Sequence, residues 1–243
     1  MRLKFVTCKV LQREAYHCAA KSPNIVDIHL MPQGLHNEPE KLREQVSQAL
    51  RQTHDVENRP YDAILLGYGL CSNGIVGLSA AIPLVIPRGH DCITLLLGSK
   101  EKYSDYFDTH RGIYWYSPGW IETGAQPSRA RCEKLLSEYT EKYGTDNAAY
   151  LMEMEQNWMK EYSRATYITW PEIADQPRFR QYTRDCAAYM KWDYDSLTGD
   201  PSLIQDLVDG NWNPDRFLVV EPGMQTASDP TSPNLIKAVP REE

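Results

Sequence analysis

Residues 61–74 read YDAILLGYGLCSNG, and this stretch decides the fold. Residues 61–66 are a near-continuous apolar run, the pattern of a strand buried on both faces, as in a parallel sheet covered by helices on each side. The run ends in a segment where Gly67, Gly69, Gly74 and Asn73 suit positive backbone angles and close approach to a neighbour.

The same alternation extends outward in both directions. Residues 3–7 form a strand ending at Cys8, followed by a helix-forming stretch at 11–20. Residues 24–31 (NIVDIHLM) alternate apolar and polar, and Leu42, Val46 and Leu50 then recur at helical spacing within 39–53. Beyond the glycine-rich segment, 75–81 is expected as a short helix. Residues 83–86 (PLVI) read as a second buried strand, 90–106 as a helix entered through Asp91, and 112–116 as a fifth strand. Strands alternating with helices in this way predict βαβ units and a Rossmann-like three-layer α/β fold with a mostly parallel sheet.

A single α/β domain is expected over 1–223, with a helical insertion or cap at 127–163, where the pattern turns charged and helical. Residues 165–169 and 217–220 read as strands, 179–190 as a helix, and 202–208 as a short helix closed by Gly210. Residues 224–243, rich in Pro, Ser, Thr and Asp, are expected to be a weakly ordered tail.

Lys and Arg number 26 against 33 Asp and Glu, a net charge of −7, so the chain lacks the basic footprint of a nucleic-acid binder. The opening MRLKFVTCKVLQRE is apolar only briefly before Lys9, Arg13 and Glu14, too short for a membrane span or signal peptide. A cytoplasmic protein is the expectation, and a homo-oligomer is compatible with it. Six cysteines in 243 residues are too sparse for a disulfide scaffold and are expected to stay reduced.

In open parallel sheets ligands bind beyond the carboxyl ends of the strands, where strand order reverses. Cys8 follows the first strand, Cys71 lies in the loop after 61–66, and His90 and Cys92 follow 83–86. Three loops thus bring thiols and an imidazole to one edge. Zinc favours such ligands, so Cys8, Cys71 and Cys92 with His90 form a candidate metal set, with iron or an iron–sulfur cluster as the alternative. Two other readings stay open: the thiols as small buried hydrophobes, or Cys71 alone as a nucleophile.

His90 is also a candidate base, and Arg88 is read either as a clamp for a carboxylate or phosphate or as a plain surface arginine. Glu14, on the first helix, is read either as an acid or base or as a solvated helix residue. Gly67, Gly69, Asn73 and Gly74 suit an anion cradle or a plain turn; GYGLCSNG lacks the dinucleotide fingerprint because Ser72 stands where glycine is required. Tyr114, Trp115, Tyr116 and Trp120 wall a pocket, bind a methylated cation, or pack a strand end. Cys18, Cys132 and Cys186 are expected to be structural.

The segments LLGYGLCSNGIVGL (65–78), PLVIPRGHDCITLLLGSKEKY (83–103) and YSPGWIETG (116–124), with the later GNW and FLVVEPG, resemble the family known as domain of unknown function 1638. The resemblance implies a link to corrinoid-dependent methyltransferase systems, and hence a part in methyl-group or one-carbon metabolism. The combined expectation is a zinc enzyme acting on a small molecule. The alternative is a non-catalytic accessory or small-molecule-binding protein that meets a corrinoid protein or methyltransferase.

Overall fold

The computed structural model describes residues 1–173 and 177–241. Along the chain run β1 (Arg2–Cys8), α1 (Gln12–Lys21), β2 (Ile25–Met31), α2 (Pro39–Leu50), β3 (Ala63–Gly67), β4 (Leu84–Pro87), α3 (Cys92–Leu97), α4 (Lys100–Thr109), β5 (Ile113–Tyr116), α5 (Pro118–Thr123), α6 (Arg129–Tyr143), α7 (Thr145–Gln156), β6 (Arg164–Thr169), α8 (Pro177–Met190), β7 (Asp193–Thr198), α9 (Ser202–Asp209), β8 (Phe217–Val220), β9 (Met224–Asp229) and β10 (Leu235–Pro240). Among the described residues no helix is long and apolar enough to cross a membrane.

The chain divides into two compact units, one of Met1–Ser104 with Gly199–Glu243 and one of Asp105–Thr198. In the first, the strands lie in the order β2-β1-β3-β4-β8, parallel except that β8 runs against β4. Every residue of β3 and β4 is buried, as the apolar runs required. The fold is the expected mostly parallel α/β architecture. From β1 the chain moves outward to β2 and then returns to place β3 on the other side of β1, so strand order reverses between β1 and β3. That is the switch point at which such sheets open a crevice.

Lys4 interrupts the apolar face of β1. Its ammonium is buried, yet it donates to the carbonyls of Ala49 at 2.6 Å and Gln52 at 3.2 Å, at the end of α2. A helix end leaves such carbonyls unpaired and partly negative, so the buried cation is matched to them.

Several elements differ from expectation. Residues 75–81 form turns rather than a helix, because their amides bond elsewhere: Gly77 N–H reaches the Thr226 carbonyl at 2.8 Å and Leu78 N–H the Thr226 hydroxyl at 2.8 Å. The single helix expected over 90–106 is split into α3 and α4 at Gly98, whose φ is +83° and where a Cβ would stand 2.6 Å from Asp200 Cβ. The stretch expected as a loose tail carries the antiparallel hairpin β9–β10.

The second unit holds its own parallel sheet, β5-β6-β7, around a core that includes Tyr116, Tyr167, Phe179 and Cys186. The strand expected at 112–116 as part of one sheet therefore belongs to a separate one. The span 1–223, expected as a single domain, is divided accordingly. β7 was not anticipated, since DYDSLT is polar and lies at an edge with no fully buried position. The helical stretch at 127–163 is present as α6 and α7, packed on each other within this unit.

Candidate functional site

The site forms at the switch point of the first unit. Cys8 is the last residue of β1, and the chain then turns through a short 3-10 segment, Lys9–Leu11, into α1. Burial pushes its thiol pKa up, against the opposing pull of the Val10 amide, the Tyr68 hydroxyl and the Lys9 amide. Tyr68 directly follows β3 and is 3% exposed. Its hydroxyl lies against the Cys8 thiol but meets no well-formed hydrogen-bond partner among the described residues. Burial drives this phenol far above its ordinary pKa, and the nearby thiols of Cys8, Cys71 and Cys92 push the same way. All three thiols named by the sequence thus lie near enough to one buried phenol to act on its charge.

Cys71 opens a run of three left-handed residues, with φ of +46° at Cys71, +55° at Ser72 and +65° at Asn73. Such conformations in side-chain-bearing residues cost on the order of 1–3 kcal/mol each and persist only where surrounding contacts impose them. Those contacts come from the loop after β4: Leu70 N–H donates to the Gly89 carbonyl and Cys71 N–H to the His90 carbonyl, both at 2.8 Å. The Cys71 thiol is buried and pushed far up, chiefly by desolvation, then by Asp91 and Cys8.

Asp91 caps α3. Its Oδ1 accepts from the amides of Ile93 at 2.9 Å and Thr94 at 3.3 Å, and its Oδ2 from the Tyr103 hydroxyl at 3.4 Å. Burial raises its pKa despite these donors. Cys92, half-buried, is the first residue of the helix. His90 is exposed and stacks on Tyr103, ring centroids 5.9 Å apart.

The remaining expected residues are placed as follows. Arg88 donates from Nε to the Pro214 carbonyl at 2.8 Å and from Nη1 to the carbonyls of Ile236 and Asn234 at 2.5 and 3.3 Å. Its Nε and Nη1 are thus engaged with backbone carbonyls. Glu14 is 2% exposed on α1, so its reading as a solvated helix residue does not hold. Close packing accounts for the three glycines. A Cβ would stand 2.3 Å from Thr7 Oγ1 at Gly67, 2.5 Å from Asp91 N at Gly69 and 2.5 Å from Leu42 Cδ2 at Gly74. Asn73 is exposed, and its carbonyl accepts from Arg43 at 3.3 Å.

Tyr114, Trp115, Tyr116 and Trp120 belong to the second unit. There Tyr114 packs among Tyr116, Trp158, Tyr162 and Trp192 at centroid distances of 5.2 to 6.0 Å. Cys18 is buried on α1 of the first unit, Cys132 and Cys186 on α6 and α8 of the second, and burial pushes Cys186 to about 11. Two residues at the switch point were missed. Tyr68 stands inside the glycine-rich segment itself. His36 lies in a 3-10 turn beyond β2, where burial lowers its pKa and the charge of Asp91 opposes that shift. Applying the carboxyl-end rule to β2 as well as to the other strands would have found His36.

None of the six cysteines, all among the described residues, is in a disulfide. Among the described residues, no three His, Cys, Asp or Glu side chains stand close enough, as placed, to hold a metal ion. The thiols are neighbours rather than a finished ligand shell.

Fold and site together define a Rossmann-like α/β protein with thiols gathered at its topological switch point. The model of the family described as protein of unknown function (DUF1638) matches residues 30–208, and the chain belongs to that family. The matched span includes His36, Tyr68, Cys71, His90 and Cys92, and leaves out Cys8 and the β9–β10 hairpin. No curated protein and no solved structure matches the chain.

Proposed function

We propose that the protein is a metal-dependent enzyme in which Cys8, Cys71 and Cys92 hold a zinc ion at the switch point. What supports this reading is that Cys8 at the end of β1, Cys71 in the loop after β3 and Cys92 beyond β4 all lie near enough to Tyr68 to act on its buried phenol. Soft sulfur ligands suit zinc, and three protein ligands with one open position is the arrangement of catalytic rather than structural sites.

Zinc bound there would supply a Lewis acid beside a small-molecule substrate. The Tyr68 phenol, which lies against the Cys8 thiol, would hydrogen-bond the thiolate or substrate atom next to it. His90, exposed in the loop before Cys92, would serve as the base, and His36 would add an imidazole from the β2 side. A reducing, cytoplasmic setting would keep the thiols free. Alkyl transfer in methyl-group metabolism, with a corrinoid protein as partner, is the extension that the family resemblance adds.

A metal-free thiol enzyme built on Cys71 is disfavoured by its burial, which keeps the thiol protonated at neutral pH. A non-catalytic binding protein is the second reading, favoured by the lack of a ready-made ligand shell. It predicts small-molecule binding without turnover that survives Cys71→Ser. Anaerobic metal analysis with an absorption spectrum tests the primary reading. About one zinc per chain and a colourless protein support it; thiolate-to-iron absorption assigns the site to iron or an iron–sulfur cluster; a metal-free protein that also fails to take up added zinc rejects it.

A further inference from the structure

The β9–β10 hairpin joins the two loops that carry Cys71 and Cys92. On its first strand, Thr226 is 2% exposed and pairs with the stretch just beyond Cys71. Its amide donates to the Leu78 carbonyl at 2.9 Å, its carbonyl accepts from Gly77 N–H at 2.8 Å, and its hydroxyl accepts from Leu78 N–H while donating to the Ile75 carbonyl. On its second strand, the Ile236 carbonyl accepts from Arg88, two residues before His90. The turn between the strands is held at Pro233, whose carbonyl accepts from Lys100 Nζ at 2.6 Å.

These bonds have a directional consequence. Residues 75–78 have no helix of their own; Val76 N–H turns back to the Asn73 carbonyl at 3.1 Å, and Thr226 supplies partners for the Ile75 and Leu78 carbonyls and the Gly77 and Leu78 amides. The left-handed run at Cys71–Asn73 lies immediately upstream and requires both of its flanks to be fixed. The ladder to Gly89 and His90 fixes one flank, and Thr226 fixes the other.

We infer that the C-terminal hairpin is a strap that positions the thiol-bearing loops, with Thr226 as the positioning residue for Cys71 and Arg88 as the tie between the hairpin and the His90–Cys92 loop. The strap lies outside the span matched by the family model. The inference rests on reading Cys71 as a working thiol, but it requires no metal.

The test is alkylation of the full-length, metal-free chain with iodoacetamide, with the rate at each cysteine mapped by mass spectrometry. Thr226→Val removes the hydroxyl and keeps the shape, and should speed labelling of Cys71 about tenfold through more frequent local opening, with Cys186 unchanged. Thr226→Ser, which keeps the hydroxyl, should restore the wild-type rate. Arg88→Lys, which keeps the charge but loses the forked geometry, should speed Cys71 and Cys92 over Cys186, and it serves as the test if Thr226→Val does not fold. An unchanged Cys71 rate in a folded variant, or equal acceleration at Cys186, overturns the inference. Because the chain is metal-free throughout, failure of the zinc reading would leave this outcome intact.

Discussion

The Cys71 amide donates to the His90 carbonyl at 2.8 Å, and the Leu70–Gly89 bond beside it has the same length. The loops after β3 and β4 are thereby one short ladder, closed where Gly69 meets Gly89, His90 and Asp91. A Cβ at Gly69 would stand 2.5 Å from the Asp91 nitrogen and 2.8 Å from the His90 carbonyl carbon. Both neighbours are backbone and cannot swing aside. Gly69→Ala is expected to lower stability by about 1–3 kcal/mol, read as a lower urea midpoint. A wild-type midpoint would show that the two loops are free to separate.

Tyr68 offers a prediction of opposite sign for stability and binding. A buried hydroxyl without a partner carries a desolvation penalty, so Tyr68→Phe should leave the metal-free protein as stable as wild type or more stable by about 1 kcal/mol. If the hydroxyl serves a bound thiolate or substrate atom, the same change should weaken zinc affinity about tenfold in a chelator competition. Lower stability with unchanged affinity would make the hydroxyl a structural group.

At the amino edge of the same sheet, burial raises the Asp55 carboxyl, but the amides of Arg59 and Glu57 and the Arg59 guanidinium outweigh it and hold the pKa below the ordinary value. The bonds are 2.9, 2.9 and 2.7 Å long, and Arg2 adds an ion pair at 3.1 Å. A depressed carboxylate contributes stability that is full above the unfolded value of about 3.9 and disappears as pH falls through the folded one. Asp55→Asn should therefore flatten the acid limb of the stability profile while leaving its alkaline limb unchanged. Parallel acid limbs for variant and wild type would contradict this.

Much of the first unit was legible because fully apolar runs such as AILLG and LVIP have one natural place, the middle of a parallel sheet. The three cysteines followed from the ends of those runs. What escaped was set by contacts distant in sequence. Turns replace a helix at 75–81 because Thr226 bonds them, and the hairpin around Thr226 was masked by a composition that reads as loose. Arg88 looked free for a ligand until the carbonyls of Pro214 and Ile236 were in place. The split into two sheets was hidden because β5 and β6 have the same apolar character as the strands of the first unit, and polar β7 gave no signal.

Under the proposed function, Cys8, Cys71 and Cys92 are ligands of one ion. The most direct measurement is zinc content after anaerobic reconstitution of wild type, Cys8→Ser, Cys71→Ser and Cys92→Ser, with Cys186→Ser as a control that stays folded by circular dichroism. About one zinc per chain is expected in wild type and control, and loss of the ion in each of the other three. Zinc retained through all three substitutions, or never bound by the wild type, would contradict it.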